Sequence, residues 1–141
     1  GSEMCIRDRF FQMGSAPYIG GGFGHFYHYA PVKIQYAVDR FTMETKRLLD
    51  VIDKTLADRR FLCGDEMNIA DIANFAWFGN LLLHNQYEAT EFLQVESYES
   101  AQRWAQEIQA RPAIQRGRRV NKVTGPEELQ VAERHSAADI S

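Results

Sequence analysis

A chain of 141 residues has room for one domain, and at that size folding buries roughly two-thirds of the unfolded surface: enough for a core, not for a second full domain. Hydrophobic residues at 45% and charged residues at 25% are globular values, and a formal net charge of -3 gives no electrostatic case for a nucleic-acid partner. Cys5 and Cys63 form neither a CxxC pair nor a disulfide framework, which points to a reducing, cytoplasmic compartment. No apolar run reaches the ~18 residues of a membrane helix, and the N-terminus lacks the layout of a signal peptide.

Residues 1–9, "GSEMCIRDR", follow no pattern that continues beyond them. They resemble translated adapter sequence and are read as a non-native leader, with the native chain beginning upstream of Phe10. From Phe10, "FFQMGSAPYIGGGFGHFYHYAP" combines a helix end, Pro17, three consecutive glycines and a dense group of rings. Glycines permit backbone angles that other residues avoid, so a sharp bend or a close approach is expected there. Pro31 suits the first turn of a helix. Ile34, Ala37, Val38, Phe41, Leu48, Leu49, Ile52 and Leu56 then recur as one stripe, predicting a long amphipathic helix from about Val32 to Asp58. Lys46, Asp50 and Lys54 follow at spacing four on its outer face and pair for a few tenths of a kcal/mol.

"FLCGDEMNIADIANFAWF", residues 61–78, turns apolar just after one polar quartet. Asn68 suits an N-cap, Asp71 reaches back to the amide of residue 68 and favours the positive helix end, and Met67 and Ile72 suit a hydrophobic staple. The run from Ile72 to Leu83 is apolar on nearly every side, as expected of a central helix packed all round. A short helix is expected over Glu88–Leu93. Ser97 then suits the cap of another over Tyr98–Ala110, whose inner stripe is Tyr98, Ala101, Trp104, Ala105 and Ile108. Arg111-Pro112 interrupts it, and Pro112 opens the short helix "PAIQRG". Residues 126–141 read as a polar, surface-following tail. No strand pattern appears, and the predicted architecture is an all-α bundle.

Three stretches stand in a telling order: the glycine-aromatic segment, then Gly64-Asp65 with Ala70-Asp71, then "SYESAQRWAQEIQARPAIQRG". Together they resemble the helical C-terminal domain of cytosolic glutathione transferases, over residues 10–139. Asn68 stands where that family usually has Ser or Thr, and Asn caps as well or better. "QMGSAPYIGGGFGHFYHYAP" and "AVDRFTMETKRLLDVIDK" resemble the Nu class in particular, bacterial glutathione-disulfide reductases. The resemblance implies a domain over residues 10–125 whose thioredoxin-like partner domain, the main source of the glutathione site, is missing. It also implies a homodimer, glutathione as cosubstrate, and structural roles for Asn68 and Asp71.

On that resemblance Gln12 and Arg40 match positions that contact glutathione carboxylates, and a guanidinium suits a carboxylate through two parallel hydrogen bonds. Lys33 is a further anion contact. For Arg40 the competing reading is a solvated charge on an outer helix face. Phe23, His25, Phe26, Tyr27 and Tyr29 either wall a substrate pocket or plug a junction with a neighbouring domain or subunit. No further carboxylate or cysteine joins His25 and His28 at ligand spacing, so no metal is expected, and "GGGFG" lacks the context of a phosphate loop. Cys63 reads as packing, and Arg116, Arg118, Arg119 and Lys122 as a solvated patch near a helix C-terminus.

The function implied for the whole protein is thiol-disulfide exchange or peroxide reduction by glutathione thiolate, without an enzyme cysteine; the fragment alone is expected to be largely inactive. The alternative is a non-catalytic docking module, a use that helical domains of this kind also serve.

Overall fold

The structure, a computed structural model, describes residues 2–119. The chain falls into two compact units, Gly1–Gln106 and Glu107–Ser141. In order the elements are α1 (Ser2–Ala16), a π-helical segment (Pro17–Tyr29), α2 (Gln35–Leu56), α3 (Ile69–Leu83), α4 (Thr90–Leu93), α5 (Glu99–Gln109) and α6 (Pro112–Gly117), with short 3-10 turns at Gln86–Glu88 and Val95–Ser97. No strand forms among the described residues beyond an isolated bridge between Phe61 and Gly64. The predicted all-α class stands. The expected tail from residue 126, and Lys122 of the basic cluster, lie outside the described residues.

The first unit's core takes Leu48, Leu49, Ile52 and Leu56 from α2, Phe75, Phe78, Leu81 and Leu82 from α3, and Ala101, Trp104 and Ala105 from α5. Each large side chain buried there contributes about 1.5–3 kcal/mol. Phe11 stacks on Phe78 with ring centroids 5.6 Å apart, which seats α1 on α3.

At the start of α3 the predicted capping box is present. Asn68 Oδ1 accepts from the Ala70 amide at 2.8 Å, and Asp71 Oδ2 accepts from the Asn68 amide at 3.0 Å. Asp71 does more than cap. Its other oxygen, Oδ1, accepts from the Leu62 amide and from the Trp104 indole N–H, both at 2.9 Å, so one fully buried carboxylate ties the α3 start to the preceding turn and to α5. That turn closes through two backbone hydrogen bonds between Phe61 and Gly64, and Gly64 at φ +130° occupies a conformation that favours glycine.

Helices α2 and α5 cap each other. Asp53 Oδ1 accepts from the Ala101 amide in the first turn of α5 at 2.9 Å. In return, Arg103 donates to the carbonyls of Leu56 and Arg59 at 2.9 and 2.8 Å, at the negative end of α2.

Several expectations are corrected. Helix α2 begins at Gln35, not Val32: Val32, Lys33 and Ile34 are exposed, Ile34 is extended at φ -110° and ψ 95°, and the first helical bond runs from the Val38 amide to the Ile34 carbonyl. Pro31 therefore precedes the helix instead of opening it. The glycine run makes no sharp bend; it stays helical and widens, for reasons given below. Helix α3 is not packed all round, since Ile69 is 60% and Ile72 45% exposed on a face that no described element covers. Ser97 does not cap α5; its hydroxyl donates back to the Gln94 carbonyl, and Asp53 takes the capping role. The Glu88–Leu93 helix is broken after Glu88, because Tyr87 and Glu88 both carry positive φ. On α2, Lys54 pairs with Asp50 at 2.6 Å, whereas Lys46 turns to the Gln94 side chain at 3.1 Å.

In the second unit α6 opens on Pro112 at its first position, as predicted, after an extended Arg111.

Candidate functional site

The π-helical segment and α2 position most of the predicted binding residues. A π-helix is rarely longer than one turn and is frequent at functional sites; here it runs for 13 residues. Its glycines explain how. A Cβ on Gly20 would stand 2.9 Å from the Trp77 ring, while one on Gly22 or Gly24 would press into the rings of Phe41 and Tyr87 respectively. Three glycines at spacing two thus admit three rings from three other parts of the chain. The close approach expected from the sequence occurs, and the bend does not.

The rings fall into two groups. Phe26 stacks on Phe41 of α2 at 5.5 Å, and Tyr18 tilts against the same ring at 6.3 Å. Phe23 stacks on Tyr27 at 4.9 Å, and Tyr27 on Phe92 at 4.7 Å. Tyr87 meets Phe23 edge-on at 6.2 Å and Tyr29 at 5.9 Å. Phe23 is fully buried; Phe26 and Tyr27 are half-buried, and His25, His28 and Tyr29 are exposed. His25 lies edge-on to Phe26.

Tyr87 and Phe92 are the members of this group that sequence reasoning missed. Tyr87 sits in the left-handed region at φ 61°, a costly conformation for an aromatic residue and one that persists only when its surroundings hold it. Burial, with Tyr29 nearby as a second cause, pushes its phenol up from the ordinary value of 10.

Arg40 lies on α2 beside Phe41, its side chain 51% exposed. It faces Glu44 Oε2 at 3.6 Å, longer than a hydrogen bond, and forms no other ion pair among the described residues. Glu44 is engaged mainly by Arg47, whose hydrogen bond is the leading cause holding that carboxyl below its usual range. Lys33 is exposed on the link before α2. Gln12 lies half-buried on α1, and no hydrogen bond joins it to Arg40 among the described residues.

Cys63 is half-buried. Among the described residues no three His, Cys, Asp or Glu side chains are grouped to hold a metal, and no helix there is long and apolar enough to cross a membrane. A cleft of about 860 Å³ opens elsewhere, lined by Leu82, Asn85, Glu88, Glu91 and Glu96 among others, and contains none of the predicted site residues. Its glutamates disfavour anions there.

An all-α bundle with a glycine-aromatic helix against a long amphipathic one matches the family model described as glutathione S-transferase, C-terminal domain, over residues 22–112. The chain belongs to that family. It is 59% identical over 130 residues to the disulfide-bond oxidoreductase YghU of Escherichia coli strain K12, covering 92% of this chain and 45% of that protein. Its fold resembles the crystal structure of glutathione transferase YghU from Streptococcus pneumoniae complexed with glutathione, at TM-score 0.80 and 44% identity, over 87% of this chain and 46% of that one. It also resembles a glutathione transferase from Pseudomonas putida with one glutathione disulfide bound per subunit, at TM-score 0.74 and 32% identity, over 87% and 52% of the two chains. The chain thus spans about half the length of these relatives.

Proposed function

We propose that this chain is the helical portion of a Nu-class, glutathione-dependent disulfide reductase and peroxidase, acting in the cytoplasm as a homodimer together with a thioredoxin-like domain. In the reaction a glutathione thiolate attacks one sulfur of a disulfide and expels the other as a thiolate, which takes up a proton. A second glutathione thiolate then attacks the mixed disulfide, releasing glutathione disulfide and the second thiol. The sulfur chemistry belongs to the thioredoxin-like domain.

This chain's part is binding. Arg40, with Gln12 and Lys33 as further contacts, holds glutathione carboxylates, and Phe26, Tyr27 and Tyr29, with His25 at the edge and Phe23 behind, wall the space for the second substrate. The observation that carries the reading is a half-exposed guanidinium whose nearest carboxylate oxygen stands 3.6 Å away, next in sequence to Phe41, on which Phe26 stacks. Relatives crystallised with glutathione and with glutathione disulfide support it. A docking module has no use for that combination, which favours the enzyme. The exposed side chains of Phe10 and Met13 on α1 support the dimer.

The test is calorimetric titration with glutathione disulfide of this chain joined to the part of the Escherichia coli relative that it does not cover. Arg40→Ala is expected to weaken binding about tenfold, the value of a charge-assisted hydrogen-bond pair. Unchanged affinity discards the carboxylate role.

A further inference from the structure

Glu44 lies one turn after Arg40 and three residues before Arg47, and the two guanidinium groups divide its carboxylate unequally. Arg47 converges on Oε1 with two donors, Nε at 3.0 Å and a terminal nitrogen at 2.5 Å. Arg40 approaches the other oxygen, Oε2, and stops at 3.6 Å. The Glu44 side chain is 14% exposed, against 51% for Arg40 and 58% for Arg47. The carboxylate is therefore held close to the helix while both cations reach outward.

A carboxylate one turn from a guanidinium on a helix is its natural partner, and at full contact it occupies the same N–H fork that a ligand carboxylate needs. We propose that Arg47 is a positioning residue: it holds Glu44 off Arg40, keeps the Arg40 fork open, and so sets the affinity for glutathione carboxylates without touching them. This rests on the role given to Arg40 above. Removing Arg47 frees Glu44 to close on Arg40, and the ligand must then displace it.

The test uses this chain joined to the part of the Escherichia coli relative that it does not cover, and two readouts, the Arg40 side-chain Nε–H resonance and the dissociation constant for glutathione disulfide. In Arg47→Ala the resonance is expected to shift and its hydrogen exchange to slow, and the dissociation constant to rise about two- to five-fold, the range of an exposed ion pair. Arg47→Ala with Glu44→Gln is expected to restore both readouts. Arg47→Ala with Asp39→Asn is the charge-matched control, because Asp39 is engaged by Gln35 at 2.7 Å instead of by Arg40, and it is expected not to restore them. An Arg40 resonance unmoved by Arg47→Ala overturns the proposal, as does equal rescue by Asp39→Asn, which would mean that net charge alone matters. An Arg40→Ala variant that binds as well as the unaltered joined protein counts against the Arg40 clamp itself; the resonance still decides the role of Arg47.

Discussion

The indole N–H of Trp104 donates to Oδ1 of Asp71 at 2.9 Å, joining two side chains 33 residues apart inside the core. Asp71 is fully buried and accepts from the Leu62 and Asn68 amides as well. Asp71→Ala strips the acceptor from three donors at once, and stability is expected to fall by about 3–5 kcal/mol. Trp104→Phe removes one donor and some ring volume, for about 2 kcal/mol. Urea unfolding followed by circular dichroism measures both; a loss under about 1 kcal/mol for Asp71→Ala would show that the hub is not load-carrying.

The π-helical glycines provide a matched set. Alanine at Gly22 or Gly24 drives a methyl into the Phe41 or Tyr87 ring, each stacked or braced by further rings, and is expected to cost about 1–3 kcal/mol or more. Gly21 has nothing within 4 Å of the position a Cβ would take, so Gly21→Ala is expected to be neutral or stabilising by up to about 1 kcal/mol. Equal effects at all three positions would contradict the ring-accommodation account.

Tyr87 gives a pH signature. Burial raises its phenol, with Tyr29 adding to the effect, so the folded state holds that proton longer than the unfolded chain does. The sign follows: this contribution is complete below pH 10, the ordinary phenol value, and is lost as pH rises through the higher folded value. Ultraviolet titration of the phenolates is expected to show a late component that Tyr87→Phe removes. Persistence of that component would place the late proton elsewhere.

The reciprocal caps between α2 and α5 predict that Asp53→Ala costs about 1 kcal/mol, as for other lost N-caps. Arg103→Ala, which abandons the carbonyls of Leu56 and Arg59, is expected to cost about 1–2 kcal/mol. Hydrogen exchange of the Ala101 amide checks the first directly: it should quicken in Asp53→Ala and stay unchanged in Arg103→Ala.

What the sequence disclosed was local. The capping box was legible because Asn68 and Asp71 lie three residues apart and act on the same turn. The second half of Asp71's work was not, because its partners Leu62 and Trp104 lie nine and 33 residues away and nothing in a helical period selects them. The same divide separates the ends of α5: its buried stripe could be read from spacing, but its N-terminal acceptor comes from α2. At the site, glycine signalled permissive backbone without saying what it accommodates, and the rings of Trp77, Phe41 and Tyr87 arrive from distant segments. Tyr87 itself carries no signal, since a left-handed tyrosine is the last thing its residue type suggests.

The most direct test of the central claim joins this chain to the part of the Escherichia coli relative that it does not cover and follows glutathione-dependent reduction of a small dialkyl disulfide. The joined protein is expected to turn over the disulfide, and Arg40→Ala within it to lower kcat/KM about tenfold while leaving the fold intact. A folded chimera that binds glutathione but reduces no disulfide, or one in which Arg40→Ala changes nothing, would contradict the account.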